Sequence, residues 1–286
     1  MLAYLADGLF HFEAEGLKVT LEEFPGSSKG LEALLGGSID VLSGYHEQTL
    51  QLGKDAPKVR SFLVMMRSHM VVLAVAPSAS DRIGSMGELK GATVGVTSLG
   101  SATQLLLNHL LVKAGMKPED VRPVAISTGA RALAAMERGV VEAGVISDYT
   151  LRHLNKRFGR VKVLADTRTE DLQRLVYGSP SYPSTVLMAK QEWLEANPEK
   201  ARRLVKAIGR TRQWVMSRTA EDVAARLPAS HRGEDLKLHE EVIRATMAML
   251  HPDGRMSEEE ALAARRAAGK KTGTDETYTN RFVAEP

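Results

Sequence analysis

Residues 93–115 read T-V-G-V-T-S-L-G-S-A-T-Q-L-L-L-N-H-L-L-V-K-A-G, and this stretch decides the fold. Thr93 to Val96 is rich in β-branched residues and predicts a short buried strand. Ser98 to Ser101 predicts a tight turn. Ser101, with Gln104 three residues later, predicts a capping box that opens a leucine-rich helix ending at Gly115. The chain therefore passes from a strand through a Gly/Ser turn into a helix.

This turn has the chemistry of an anion site. The first backbone N–H groups of a helix lack intrahelical partners and lie at the positive end of the helix dipole. They can hold a carboxylate, sulfonate or phosphate. The candidate ligand contacts are Gly100, Ser101, Ala102 and Thr103. The alternative is that Ser101 only caps the helix, and the sequence leaves both interpretations open.

The composition is that of a globular α/β protein: 43% of the 286 residues are hydrophobic and 26% are charged. This length suits one large domain or two modest ones. The net charge of +3 is small, and basic residues alternate with acidic ones, so nothing favours nucleic-acid binding. The absence of cysteine excludes a disulfide framework, a thiolate metal site and a cysteine nucleophile.

The first residues do not have the pattern of a secretory signal. Met1 to Phe12 is apolar, but it contains Asp7 and lacks both a basic leader and a small-residue cleavage site. The pattern predicts a helix over Leu2–Glu15 instead. If the native protein is exported, we expect its signal to lie upstream of this sequence.

Two segments share one order of elements: strand, Gly/Ser/Thr turn, helix, glycine, strand, and a turn that contains tyrosine. The first copy has a strand over Lys18–Phe24, a helix over Lys29–Leu35 and a strand over Ile39–Leu42. The second has a strand over Val121–Ile126, a helix over Thr128–Arg138 and a strand over Val141–Ile146. This alternation is expected of βαβ units with a parallel sheet.

The rest of the chain extends this scheme. Two apolar runs between the copies, Val59–Met66 and Val71–Ala76, predict a pair of strands. Ser184–Ala189 predicts a return strand. From Gln191 onward the pattern is helical, with the first long helix over Glu192–Arg218. The sequence therefore predicts two α/β lobes and a helical C-terminal region.

Ligands of open α/β sheets bind beyond the carboxyl ends of the strands, so the turns at those ends hold the other candidate site residues. They are Ser27, Ser28, Tyr45, His46, Asp148, Tyr149 and Tyr182. The two serines either bind an anion or cap a helix. Tyr45 and His46 either contact the ligand or belong to a surface turn. Asp148 and Tyr149 either meet a ligand amine and ring or cap the next helix, and Tyr182 is a candidate lid or hinge residue.

Several stretches resemble one family. L-A-D-G-L-F-H-F-E-A-E-G-L-K-V, over residues 5–19, looks like a G-x-F-x-x-E-G-L-x-V opening. Further similar stretches are Phe24–Gly26, Leu34–Val41, Leu89–Val96, Gly100–Thr103, Ala134–Ala143, Asn197–Glu199 and Thr277–Phe282. Together they resemble the substrate-binding proteins of ABC importers, in the nitrate/sulfonate/taurine and thiamine-precursor (NMT1/THI5-like) branch. The stretches span nearly the whole chain, and their order and spacing are more specific than any one of them.

The resemblance implies a type II periplasmic-binding fold, in which two α/β lobes are joined by two crossover strands and close on a small ligand. Lobe one comprises residues 1–75 and 186–286, lobe two comprises residues 76–185, and the crossings match Val71–Pro77 and Tyr182–Ala189. The function implied is that of an extracytoplasmic monomer. It would deliver a small, anionic organic solute, such as a sulfonate, taurine, nitrate or an aromatic carboxylate, to a membrane ABC permease without catalysis or a cofactor.

Members of the family normally have another strand before the helix that holds Tyr4, and its absence here puts one wall of the pocket in question. Some relatives are thiamine-pyrimidine synthases with a lysine-bound pyridoxal phosphate and a cysteine-rich iron motif, which this cysteine-free chain lacks. A biosynthetic enzyme or a cytoplasmic ligand sensor of the same fold is the alternative. G-S-S-K-G at Gly26–Gly30 also matches a nucleophile elbow, but a hydrolase needs several strands before that serine.

Overall fold

The architecture is that of a computed structural model that describes residues 1–53, 55–232, 235–270 and 276–284. The helices are α1 (Leu2–Gly8), α2 (His11–Ala14), α3 (Ser27–Gly36), α4 (Glu47–Gln51), α5 (Ala102–Lys113), α6 (Gly129–Glu137), α7 (Asp148–Phe158), α8 (Glu170–Tyr177), α9 (Gln191–Ala196), α10 (Pro198–Met216), α11 (Ala220–Arg226), α12 (Leu236–Ala248) and α13 (Glu258–Ala267). The strands are β1 (Val41–Tyr45), β2 (Val59–Val64), β3 (Val71–Val75), β4 (Thr93–Val96), β5 (Arg122–Ala125), β6 (Ala143–Ser147), β7 (Val163–Asp166) and β8 (Thr185–Lys190).

The strands form two sheets, one in each lobe. The sheet of lobe one has the order β1-β8-β2, and both of its pairs are antiparallel. The sheet of lobe two has the order β5-β4-β6-β3-β7. In that sheet β4 runs parallel to β5 and β6, whereas β3 runs antiparallel to β6 and β7. The prediction of two α/β lobes is confirmed at the level of these two sheets.

Lobe two contains the parallel units that the sequence predicts. The β4–α5–β5 and β5–α6–β6 segments return their strands to one sheet in parallel orientation. The carboxyl ends of β4 and β6 therefore lie side by side at one edge, where the turn after β4 opens α5 and Ser147 opens α7. This edge positions the candidate anion site.

The first copy of the repeat is not a βαβ unit, and the predicted strand over Lys18–Phe24 is wrong. No strand is assigned between residues 17 and 26, and both edges of β8 are taken by β1 and β2. Leu17 and Val19 instead pack against the hydrophobic core of lobe one. The apolar alternation therefore reflects contact with that core and not pairing with a neighbouring strand.

The predicted pairing of the two apolar runs is also wrong, because β2 and β3 belong to different sheets. The chain crosses between the lobes at residues 65–70 and returns at residues 178–184, and the two crossings are hydrogen-bonded to each other. Tyr182 N donates to the carbonyl of Arg67 at 3.0 Å, and Ser184 N donates to the carbonyl of Met66 at 3.1 Å. β3, which the predicted boundaries place in lobe one, pairs within the sheet of lobe two.

Two predicted helices are interrupted and one helix has no counterpart in the prediction. The first helix breaks where Phe10 adopts left-handed backbone angles, with φ of 56°. The long helix after β8 breaks at Asn197, which precedes Pro198, because proline disfavours helical angles in the residue before it. α8 is the unforeseen helix, and it ends in Tyr177 beside the second crossing.

Each lobe has its own core. Lobe one packs α1, α2, α10, α11 and α12 around apolar residues of β2 and β8. Lobe two buries both faces of its sheet, one beneath α5 and the other beneath α6 and α7. α13 contributes Ala263 and Ala264 to the core of lobe two, although it comes from the C-terminal region. No described helix combines the length and apolar character needed to cross a membrane.

Candidate functional site

The N-terminus of α3, in lobe one, lies against the turn that opens α5, in lobe two. This contact between the lobes is called the joint below. Ser28, in the first turn of α3, has its Oγ 3.2 Å from the Oγ of Ser98, in the turn that opens α5. Gly26 lies so close to Ser98 that a Cβ at position 26 would stand 2.9 Å from Ser98 Oγ. Both helices have free N–H groups in the first turn, so two positive dipole ends converge here.

Hydrogen bonds among residues 97–104 stabilise the turn that opens α5. Ser101 is 1% exposed, and its Oγ lies 2.9 Å from Thr103 Oγ1, which in turn accepts a hydrogen bond from Thr97 N at 2.9 Å. Gln104 Oε1 accepts a hydrogen bond from Gly100 N at 2.6 Å, not from Ser101 N. The predicted capping box is therefore wrong. The Ser101 side chain makes no capping bond either, which leaves the first N–H groups of α5 without a side-chain cap.

The side-chain amide of Gln48 connects the start of α3 to the end of β1. Gln48 Nε2 donates to the carbonyl of Ser27 at 3.0 Å, while Gln48 Oε1 accepts a hydrogen bond from Tyr45 N at 3.2 Å. Gln48 is buried, so this bridge fixes the N-terminus of α3 against the end of β1. As in α5, the N-cap residue makes no capping bond, because Gly26 has no side chain.

A cavity of about 220 Å³ adjoins this joint. Its lining residues are Ser28, Leu31, Glu32, Leu35, Gln48, Gln51, Leu52 and Gly100. Ser28 and Gly100 belong to the two helix starts, and the leucines form an apolar wall. The arrangement suits a small molecule that has an anionic head and an apolar body.

A second cluster lies where the two crossings meet the lobes. His69 Nε2 is 2.6 Å from Glu47 Oε1, and His69 Nδ1 is 3.0 Å from the hydroxyl of Tyr177. Tyr182 stacks on Tyr177 with ring centroids 3.9 Å apart, and Tyr45 stacks on His69 at 5.5 Å. A small cavity of about 10 Å³ lies here, lined by Glu47, His69, Leu105, Leu106, Tyr177, Tyr182, Ala267 and Ala268.

The tyrosine side chains of this second cluster favour the protonated, neutral form because their pKa values are raised. Burial, and then the negative charge of Glu47, raise the pKa of Tyr177 and Tyr182 well above the ordinary value. The same two causes raise the pKa of Tyr45. The His69 ring therefore lies between the Tyr177 hydroxyl and the Glu47 carboxylate, within hydrogen-bond distance of both.

The remaining predicted site residues lie in different surroundings. His46 is fully buried, with its Nδ1 2.9 Å from Ser61 Oγ of β2, inside lobe one. Asp148 is 3% exposed and forms ion pairs with Arg152 at 2.6 Å and Arg168 at 2.5 Å. Tyr149 packs on His153, with ring centroids 4.4 Å apart. Ligand contact by any of these residues stays a prediction.

The structure thus brings Ser27, Ser28, Gly100 and Ser101 to one joint, and Tyr45 and Tyr182 to the neighbouring aromatic cluster. Sequence reasoning missed Glu47, His69 and Tyr177. Glu47 has a local signal, since it directly follows the Tyr45–His46 turn at a strand end. His69 and Tyr177 have none, because they meet Glu47 only through the folding of the two crossings.

Neither cavity has the residues that the synthase relatives need. No lysine of the described ranges lines either cavity, and the chain has no cysteine. Among the described residues no group of three or more His, Cys, Asp or Glu side chains is placed to hold a metal ion. Ser28 is hydrogen-bonded to another serine and not to a histidine, which removes the basis for a nucleophile elbow.

Known proteins from several organisms are similar to this chain. A curated protein from Aspergillus parasiticus, 4-amino-5-hydroxymethyl-2-methylpyrimidine phosphate synthase, is 26% identical over 230 residues, which is 76% of this chain and 63% of that protein. A solved structure from Bordetella bronchiseptica RB50 has a TM-score of 0.90 at 31% identity, covering 98% of this chain and 90% of the other. The alkanesulfonate-binding protein SsuA from Xanthomonas axonopodis pv. citri, bound to MOPS, has a TM-score of 0.70 at 21% identity, covering 94% and 87%.

The similarity to SsuA shows the fold, which is the periplasmic-binding-protein fold that the sequence predicts. The chain spans less than two thirds of the length of the synthase, so the match does not show that this chain has the synthase's activity. Residues 1–221 match the family model described as NMT1/THI5 like, and the chain therefore belongs to the NMT1/THI5-like family.

Proposed function

We propose that this chain is an extracytoplasmic solute-binding protein that captures a small anionic organic solute between its lobes and delivers it to an ABC permease. The observation that carries the proposal is the joint of two helix N-termini at Ser28 and Ser98. Each lobe contributes backbone N–H groups there, so an anion would be held by both lobes at once. Binding by both lobes favours the closed arrangement by population shift.

The cavity beside the joint supports an organic solute over nitrate. Its volume of about 220 Å³ exceeds what a bare oxyanion fills, and Leu31, Leu35 and Leu52 give it an apolar side. A short alkanesulfonate or an aromatic carboxylate has the matching division into a charged head and an apolar body. SsuA, which shares the fold, is a binding protein of the first class. We further propose that the protein acts as a monomer.

The second candidate is a biosynthetic enzyme, which the similarity to the pyrimidine phosphate synthase favours. The residues present support this enzyme function less than they support solute binding. A lysine-bound cofactor needs a lysine in the site, and none of the described residues that line the two cavities is a lysine. The family's cysteine-rich iron motif has no counterpart in a chain without cysteine.

Calorimetric titration with ethanesulfonate, propanesulfonate, benzoate, propanoate and nitrate tests the proposal, with Ser28→Asp as the decisive variant. An aspartate at this position places a negative charge at the joint, and we expect it to weaken anion binding at least about tenfold. The same charge sits favourably at a helix N-terminus, so the unfolding temperature should stay level or rise.

Ser28→Asn is the matched control, because asparagine has the size of aspartate without its charge. The difference in affinity between the two variants therefore measures the effect of the added charge and not that of the added volume. Equal affinities for the two variants would contradict an anion site at this place. Binding of no member of the panel would refute the proposed solute class, and chemical conversion of a panel compound would favour the enzyme.

A further inference from the structure

The positive charge of the chain is concentrated on α10. Together with Ser217 and Arg218, this helix contains seven basic residues and one acidic residue, Glu199, which gives residues 198–218 a local charge of +6. Because the whole chain carries +3, the rest of the chain carries −3. The small overall charge is therefore the sum of a strongly basic helix and a slightly acidic remainder.

Three of these basic residues form one exposed face of the helix. Arg203, Lys206 and Arg210 are three and four positions apart, so their side chains are neighbours, and all three are exposed. They are called the basic face below. The opposite face of α10 is buried in the core of lobe one, through Ala201, Val205, Ile208 and Val215.

Neighbouring carboxylates neutralise the basic face only in part. Glu15 is the acidic residue that pairs with it, 2.9 Å from Lys206 and 3.7 Å from Arg210. The side chain of Glu15 is 7% exposed, so its charge lies beneath the more exposed cations. Within the described ranges, Arg203 has no ion pair. One carboxylate for three cations leaves the face positively charged.

An aromatic side chain protrudes beside the basic face. Phe10 is 67% exposed, and its φ of 56° lies in the left-handed region, which is unfavourable for a residue with a bulky side chain. The ring of the next residue, His11, has its Nδ1 2.8 Å from Thr211 Oγ1, so Phe10 lies near Arg210 along α10. Burial of the ring does not offset the backbone strain, because the ring is exposed. Contact of the ring with a partner would offset it.

An anionic lipid surface matches both features. Anionic headgroups attract Lys and Arg residues close to the membrane, and an exposed apolar side chain inserts at the boundary between headgroups and acyl chains. Phe10, and Met216, which is 58% exposed at the end of α10, are suited to such insertion. Asp7 and Glu13 are exposed nearby on α1 and α2, but with Glu15 they number three against the local charge of +6. The surface therefore stays positive.

The protruding ring favours lipid over an acidic protein as the partner. A protein that received Phe10 would need a complementary pocket, whereas a lipid surface accepts a single ring without one. Binding through α10 would also leave the solute site free, since none of the described residues that line the two cavities belongs to α1, α2 or α10.

We propose that the basic face of α10, with Phe10, binds reversibly to an anionic lipid membrane. The inference goes beyond the proposed function, because it concerns the outer surface of lobe one and not the solute. A protein that delivers its solute to a permease would meet that permease more often when it is held at the bilayer, where its local concentration is higher.

The test is co-sedimentation of the protein with vesicles of phosphatidylcholine alone and with vesicles of equal parts phosphatidylcholine and phosphatidylglycerol. We expect binding at least about tenfold stronger to the anionic vesicles at low ionic strength, and a smaller preference as salt is added, because salt screens exposed charges. In Arg203→Gln combined with Lys206→Gln, binding to the anionic vesicles should fall at least about fivefold. Arg210 stays in this variant to pair with Glu15.

Two further variants separate the basic face from net charge and from folding. Arg131→Gln combined with Arg138→Gln removes two exposed basic residues at α6, in lobe two, so it lowers the net charge equally and should leave vesicle binding unchanged. Phe10→Asn should weaken vesicle binding several-fold while the unfolding temperature stays level or rises, because asparagine adopts left-handed backbone angles more readily than phenylalanine.

Three outcomes would overturn the proposal. Equal binding to both kinds of vesicle refutes an anionic lipid surface, and binding to neither refutes a membrane partner and leaves an acidic protein as the partner of α10. An equal loss in the α6 variant would assign the effect to net charge and not to the basic face. Vesicle binding is measured without solute, so this proposal and the proposed function stand or fall separately. Phe10→Asn and the comparison of the two vesicles decide the question even if the α10 variant does not fold.

Discussion

Gly26 controls how closely the two lobes approach. Its φ of −178° is extended backbone that any residue adopts, so a side chain there causes no backbone strain. The contact it would make is with Ser98, in the opposite lobe. We expect Gly26→Ala to press the lobes apart and to weaken solute binding several-fold, with a loss of up to about 1 kcal/mol of stability from the poorer helix cap. Titration calorimetry and urea unfolding measure the two effects.

Two companion variants separate the contact from the cap. Gly36→Ala lies at the other end of α3, where a Cβ meets nothing within 4 Å, and should leave binding unchanged. In Gly26→Ala combined with Ser98→Ala, the nearest remaining atom is the Ser98 Cβ at 3.5 Å, an ordinary contact, so affinity should recover. Failure of the double variant to recover would mean that the loss arises within α3 alone.

At the scale of single residues, the sequence predicts the joint better than the aromatic cluster. Ser101 follows from strand–turn–helix spacing, and Ser28 follows from its place at the start of a predicted helix; both signals are local. His69 and Tyr177 are 108 positions apart in the chain and are brought together by the two crossings, which no local pattern encodes. For Asp148, the position at a strand end is predictable from the sequence, but the ion pairs with Arg152 and Arg168 are not.

Among the elements, α13 is fastened to the second crossing by Glu260. The carboxylate accepts hydrogen bonds from Ser257 N at 2.8 Å and from the hydroxyl of Ser181, and His251 Nε2 lies 3.0 Å away. Burial raises the pKa of Glu260, but the hydrogen bonds from His251, Ser181 and Ser257 outweigh it and lower the pKa from 4.5 to about 2. The ionised form thus holds the C-terminal helix against the crossing.

This pKa gives a prediction about acid stability. Because the folded-state pKa lies below the unfolded one, Glu260 stabilises the fold fully above pH 4.5, and this contribution is lost as the pH falls from 4.5 towards 2. The shift corresponds to about 3 kcal/mol. We expect Glu260→Gln to lower the free energy of unfolding at neutral pH by about 2 kcal/mol and to flatten its pH dependence in that window. Urea unfolding at several pH values measures both.

Glu258→Gln is the control for the acid-stability prediction. Glu258 lies in the same first turn of α13 and feels the same helix dipole, but it is exposed. The control should lower stability by a few tenths of a kcal/mol and retain the pH dependence. A pH profile in Glu260→Gln that matches the unaltered protein would show that other carboxylates account for the acid sensitivity.

The two errors in predicting strands have one physical origin. Periodicity reports which residues are buried, but it does not report which partner buries them. Val19 alternates like a strand residue because it lies on the core of lobe one, and β2 and β3 look like a hairpin because both are apolar and close in sequence. The parallel units of lobe two were predictable because their helices and strands are neighbours along the chain.

For the whole molecule, the proposed function makes affinity depend on the balance between open and closed lobes. The lobes are joined covalently at two crossings, and further contacts lie on their facing surfaces. Arg152 and Lys156 of α7, in lobe two, form ion pairs at 2.6 and 2.5 Å with Glu241 and Asp235 near α12, in lobe one. These pairs exist only when the lobes are together, so they contribute to closure and not to the stability of either lobe.

We expect the double variant Lys156→Gln and Glu241→Gln to weaken solute binding about two- to thirtyfold at low ionic strength. Exposed ion pairs contribute about 0.2–1 kcal/mol each, and losing that from the closed state raises the dissociation constant correspondingly. The two substitutions spare the Arg152–Asp148 pair and the Asp235 cap of α12. Titration calorimetry at low and high salt measures the effect, which should shrink at high salt because the pairs are screened.

The control for this pair of substitutions removes an ion pair within one lobe. Arg157 of α7 binds Glu137 of α6, both in lobe two, so Arg157→Gln deletes an exposed pair on the same helix without affecting closure. Its dissociation constant should equal that of the unaltered protein at every salt concentration. An equal loss of affinity in the control would mean that α7 acts through its overall charge, whereas a loss confined to the double variant would identify these two ion pairs as a latch between the lobes.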